Sequence, residues 1–85
     1  MRYDVEFTTA AQRQIKKLPR PAREEILEVV ASLSETPRPR GCVKLAGREA
    51  WRVRTGNYRV IYEVDDNFLL VTVVRAGHRR EVYNG

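Results

Sequence analysis

Gly56-Asn57 stands between two alternating runs, WRVRT before it and YRVIYEV after it. A two-residue Gly-Asn loop in that setting predicts a β-hairpin. This feature fixes a register: Thr55 faces Tyr58, and Arg54 faces Arg59. Side chains alternate along a strand, so Trp51 and Val53 share one face with Val60 and Tyr62. Arg52, Arg54 and Arg59 share the other. Like charges directly opposite in an antiparallel pair are destabilising. Two readings fit. The arginines are the solvated side of an amphipathic strand, neutralised by acids such as Glu49, Glu63 or Glu81. Alternatively, an anion sits between them in the working state.

The hairpin needs a sheet and a cover. Residues 3–7 alternate, with Tyr3, Val5 and Phe7 on one face, and read as a half-buried strand. Thr9 with Gln12 three residues later gives a capping-box signal. Ala11, Ile15 and Leu18 then recur on one helix face, and Pro19 ends that helix. A second helix starts near Arg20-Pro21, with Glu24 and Glu25 in its first turn. Its buried stripe is Ala22, Ile26, Val29, Val30 and Leu33. The short connection predicts a helical hairpin.

The stretch SETPRPRG, 34–41, is a loop whose Arg38 and Arg40 read as solvated charges. A short strand is expected over Val43 to Leu45, before a turn at Gly47. The run FLLVTVV, 68–74, suits a central strand covered on both faces, with Gly77 ending it. The order is β-α-α-β-β-β-β. That is an α+β pattern, with the N-terminal strand and two-helix hairpin packed on a twisted, mainly antiparallel sheet.

With 85 residues, the chain is read as one domain, 1–85. No apolar stretch is long enough to span a membrane, and MRYDVEF lacks the apolar core of a signal peptide. Cys42 has no second cysteine to pair with, which fits a reducing cytoplasm. Cys42 and His78 are the only cysteine and histidine, too few for a structural zinc site. The net charge of +5 favours a polyanionic partner, nucleic acid or an acidic protein segment.

Candidate chemistry gathers at the arginines. His78, Arg79 and Arg80 follow the central strand, and Lys44 precedes the hairpin. Guanidinium forks match phosphates bidentately. Tyr58, Tyr62 and Tyr83 offer rings on which bases stack, although Tyr58 and Tyr62 run in phase with the core. No phosphate loop, dinucleotide fingerprint or Ser-His-Asp context is present. Arginines stay protonated and stabilise charge, and His78 or Tyr83 can transfer protons. The set suits RNA cleavage in which the substrate's own 2′-hydroxyl attacks the neighbouring phosphate. It fits plain RNA binding equally well.

Three segments, YDVEFTTAAQRQIKKLP, VKLAGREAWRVRTGNYRVIYEV and GHRREVY, resemble the RelE/ParE superfamily of bacterial and archaeal toxins, specifically its RelE branch of messenger-RNA interferases. The resemblance covers essentially the whole chain. It implies a RelE-like fold and a cytoplasmic toxin that cuts messages in the ribosomal A site without metal or cofactor. It implies a cognate RelB-like antitoxin, and contact with operator DNA only through that antitoxin. Catalytic roles would fall on Arg59, Arg79 and Tyr83. RNA contacts would come from Lys44, Arg52, Arg54, His78 and Arg80. Active members carry lysines where this chain has Arg52 and Arg54, and arginine is a poor proton acceptor. That leaves the general base open. It also keeps two alternatives in view: a ParE-like gyrase inhibitor, and a degenerate toxin that only binds antitoxin and regulates its operon.

Overall fold

The alternation of residues 3–7 becomes an edge strand, β1 (Asp4–Phe7). It is followed by α1 (Thr9–Lys16), α2 (Arg20–Ser32), β2 (Val43–Lys44), β3 (Ala50–Thr55), β4 (Tyr58–Asp65) and β5 (Leu70–His78). The computed structural model describes residues 2–78. The strands form one five-stranded sheet in the order β1-β5-β4-β3-β2. β1 runs parallel to β5, and every other pairing is antiparallel. The expected α+β architecture holds, with a mixed sheet, because the two helices carry the chain back across the sheet between β1 and the meander.

Both helices cover one face. α1 lies on β5 and β1, and α2 on β4 and β3. Ala11, Ile15, Ile26, Val30 and Leu33 meet Trp51, Val60, Tyr62, Val71, Val73 and Ala76 in one core. Burying an aliphatic side chain of this size contributes about 1.5–3 kcal/mol. Val29, expected in the buried stripe of α2, is only half-buried.

Several local expectations shift. Thr8, not Thr9, caps α1: its hydroxyl accepts from the Ala11 amide at 3.1 Å. Gln12 instead donates its side-chain amide to the Phe7 carbonyl. Glu24 and Glu25 fall beyond the first turn of α2, which holds no acid. Phe68 is 78% exposed and precedes β5, and Leu70, Thr72 and Val74 are half-buried. Among the described residues, no helix covers the other sheet face, and β5 is not fully buried on that side. Gly77 does not end β5, which continues through His78.

A bulge in β5 resets the side-chain phase of its last residues. The β4–β5 register steps from Tyr62↔Val73 to Ile61↔Arg75, leaving Val74 as the extra residue. Beyond it, Ala76 joins the core, and Arg75 and Gly77 turn to the open face.

The loop at 34–41 is tied down. Arg38 donates two hydrogen bonds to Asp66, at 2.9 and 3.2 Å, and its guanidinium lies 4.6 Å from the Trp51 ring centroid. Tyr3 donates its hydroxyl to the same carboxylate at 2.6 Å. Arg38 is exposed, as its loop setting suggested, and is also a tether. The Arg38 guanidinium, and then the Tyr3 hydroxyl, hold the Asp66 carboxyl below its ordinary value. The folded state thus binds that proton more weakly than the unfolded chain does. Asp66 stabilises the fold above its unfolded value of 3.8 and loses that contribution as pH falls below it. Urea midpoints measured down through this window should fall in the parent and fall less in Asp66→Asn. The difference will be small, because the pair is solvated.

Tyr62 acts at the alkaline end. It is fully buried and donates its hydroxyl to the Pro37 carbonyl at 2.7 Å. Burial pushes this phenol well above its ordinary value of 10.0. In the folded protein it stays neutral where the unfolded chain ionises. Stability should therefore decline as pH rises past 10.0. Tyr62→Phe should flatten that decline in alkaline thermal melts, at a neutral-pH cost of about 0.5–1.5 kcal/mol for the lost hydrogen bond.

Candidate nucleic-acid interface

The hairpin forms in the expected register: Arg54↔Arg59, Thr55↔Tyr58 and Trp51↔Tyr62. Gly56 has φ +60°, and Asn57 stays at negative φ. Glycine at the first central position with positive φ is the pattern of a type II′ turn, whose twist matches the flanking strands.

Trp51, Val53, Tyr58, Val60 and Tyr62 face the helices. The open face carries the arginines. Arg54 and Arg59 oppose each other at its hairpin end. One rung further, Arg52 and Arg75 flank Ile61 from either side. Residues paired this way have Cα atoms about 4.5–5.5 Å apart, so the four arginines occupy two neighbouring rungs of the sheet. Their settings differ. Arg59 is 9% exposed, Arg52 and Arg75 are half-buried, and Arg54 is exposed. Gly77 stands across from Arg59 on β5 and puts no side chain there.

Two of the RNA-contact candidates fall elsewhere. Lys44 pairs across from Trp51, so it shares the helix-side phase. Its ammonium lies 6.0 Å from the Trp51 ring centroid and 3.3 Å from Glu49. His78 pairs across from Tyr58 and meets that ring edge-on, with centroids 5.9 Å apart. It sits at the arginine end of the sheet but in the helix-side phase. Arg79, Arg80 and Tyr83 lie outside the described residues.

Two of the acids proposed to neutralise the arginines have other partners, and the third, Glu81, lies outside the described residues. Glu63 lies 3.8 Å from Arg48, and Glu49 pairs with Lys44. Among the described residues, Arg54 has no carboxylate within ion-pair distance. Glu49, Glu63, Asp65 and Asp66 instead line a cleft of about 610 Å³ with Leu70 and Thr72, toward the far end of the sheet. A small apolar cluster of Ala50, Ile61, Leu45 and Val74 occupies the middle of the open face. The face is therefore polarised, basic at the hairpin turn and acidic opposite, and such a field orients an anionic ligand.

Sequence reasoning missed Arg75. Counting by twos from Val71 and Val73 points it at the core, and only the Val74 bulge brings it to the arginine face. What the arginines of this face offer is fixed positive charge.

Residues 5–83 match the family described as ParE toxin of type II toxin-antitoxin system, parDE. The chain belongs to this family. Within the RelE/ParE superfamily, it is similar to these RelE-type toxins. Toxin RelG of Mycobacterium tuberculosis is 36% identical over 87 residues, covering 98% of each chain. The toxin–antitoxin complex RelBE2 of the same organism matches with a TM-score of 0.83 and 33% identity, over 93% of this chain and 100% of the other. The isolated RelE toxin of E. coli matches with a TM-score of 0.80 and 29% identity, over 96% and 92%. This RelE-like member is thus a toxin of a type II toxin–antitoxin system. No helix among its described residues is long and apolar enough to cross a membrane.

Proposed function

We propose that this toxin is a ribosome-dependent endoribonuclease that cuts messenger RNA in the A site. The observation that carries the reading is the arginine face. Arg54 opposes Arg59, Arg52 and Arg75 stand one rung away, and Glu49 and Glu63 are engaged by Lys44 and Arg48. Four like charges repel, and a bound phosphodiester relieves that repulsion.

In the proposed reaction the substrate's 2′-oxygen attacks the adjacent phosphorus and the 5′-oxygen leaves. Arg59 contacts the phosphate and stabilises the extra negative charge of the pentavalent state. Arg52, Arg54 and Arg75 hold the flanking backbone. Proton transfer falls to His78 or Tyr83, with Arg79 as a second group that stabilises charge at the phosphate and Arg80 as a further RNA contact. No cofactor is required for this scheme.

A RelB-like antitoxin is the proposed inhibitor, since the RelBE2 structure is a toxin–antitoxin complex. Cytoplasm is the proposed compartment, because ribosomes and messages are there. Binding to operator DNA would run through the antitoxin.

The matched family description also favours a second reading, a ParE-like gyrase inhibitor without nuclease chemistry. One experiment separates them. Purified toxin is added to a defined translation system and to naked message, and its effect on gyrase supercoiling is measured in parallel. Cuts that require ribosomes support the nuclease. Intact messages with blocked supercoiling would replace it with the gyrase reading. Neither effect would leave a degenerate toxin acting through antitoxin binding alone.

A further inference from the structure

The hairpin that carries Arg54 and Arg59 closes on a like-charge pair, directly before a two-residue turn. Like charges directly opposite each other repel, and a rung beside a turn has few ladder bonds to hold it. The structure shows a tie to the body of the protein there. Thr55 donates its hydroxyl to the Glu25 carboxylate of α2. The same carboxylate lies against the turn itself, where a Cβ on Gly56 would come within 3.3 Å of Glu25 Oε1. Thr55 is in the helix-side phase, so Glu25 reaches the turn from behind, opposite the arginines.

We infer that Glu25 is a positioning residue for the arginine face, holding the hairpin turn so that Arg54 and Arg59 keep the spacing a phosphate requires. This rests on the reading of that face as a phosphodiester site. Glu25 touches no substrate. It acts through Thr55 and Gly56, and its negative charge behind the turn also offsets part of the repulsion in front. Glycine at position 56 then serves two ends, the positive φ of the turn and the close approach of the carboxylate. A purely local turn would need only the first.

The test uses the full chain and inorganic phosphate as the probe. Phosphate is titrated into the parent, Glu25→Ala, Glu25→Gln and Thr55→Val while the Arg54 and Arg59 guanidinium signals are followed by NMR. Amide exchange is read at residues 54–59, with Val71 and Val73 as the core reference. Losing a hydrogen bond to a charged group at a solvated site should weaken phosphate binding about fivefold in Glu25→Ala and Thr55→Val. Exchange should quicken at 54–59 and hold steady at Val71 and Val73. Glu25→Gln keeps an acceptor oxygen and should recover part of the affinity. Phosphate affinity unchanged in Glu25→Ala would overturn the inference. So would equal acceleration at Val71 and Val73, which would make Glu25 an ordinary stabilising residue. A parent that shows the Glu25 dependence but cuts no message would remove the nuclease reading and leave the clamp standing. A parent that binds no phosphate would remove both.

Discussion

Arg59→Ala should reduce ribosome-dependent message cleavage by about 10²–10³-fold, the usual cost of deleting one preorganised group that stabilises developing charge. Arg59 is singled out by its setting rather than by its charge. It is the most buried arginine of the face, with β3 on one side and β5 on the other. A guanidinium held that firmly needs little reorganisation when the phosphate gains charge. Arg54 is exposed, and a mobile surface charge contributes less. Arg54→Ala should therefore cost no more than about tenfold. Arg59→Lys keeps the charge and loses the bidentate fork, so it should fall between the two. Sulfate or phosphate should raise the thermal midpoint of the parent and leave that of Arg59→Ala unchanged. Single-turnover cleavage and thermal melts on the same preparations check both effects. A variant retaining the parent's anion stabilisation would remove Arg59 from the site.

Ile26→Ala should destabilise the fold by about 2–5 kcal/mol, the range for truncating a fully buried aliphatic side chain. Ile26 is 0% exposed and belongs to the core that joins α2 to the sheet. A domain of this length has a total stability of about 4–13 kcal/mol, so the loss is a large share of it. Urea unfolding should show a lower midpoint with a similar slope. Ile26→Val removes one methylene and should cost only about 0.5–1.5 kcal/mol. A loss below about 1 kcal/mol in Ile26→Ala would mean that the helix face repacks around the gap, and would weaken the view of α2 as a rigid backing for the hairpin.

Strong periodicity made the main elements legible. The Gly-Asn turn gave the hairpin register, down to Arg54 opposite Arg59. Ile15 and Ile26 marked the buried faces of their helices. Errors arose where a non-local partner decides. Arg38 is exposed as expected, but its tie to Asp66, 28 positions away, is invisible to local reading. The cap moved to Thr8 because the backbone entering α1 is set by β1 pairing with β5, where Thr8 donates its amide to the Val73 carbonyl at 2.9 Å. Phe68 belonged to an apolar run, but the turn after β4 leaves it outside the strand. Lys44 and His78 were grouped with the arginines by proximity in sequence. Strand pairing put each in the opposite phase.

The Val74 bulge makes the arginine face of this toxin depend on one extra residue. Substitutions along β5 alter one side chain each. Deleting the codon for Val74 would remove the bulge and leave the strand beyond it in place, with Arg75 still opposite Ile61 and Ala76 still in the core. Pairing Val74 with Ile61 instead, with the bulge lost and no residue removed, would transpose everything downstream, driving Arg75 among apolar neighbours and bringing Ala76 out beside Arg59. In a lineage of such toxins, the composition of the open face can thus be rewritten by a slip of one position while every residue type stays the same. Alignments that place a gap carelessly in this strand will pair arginines with core residues.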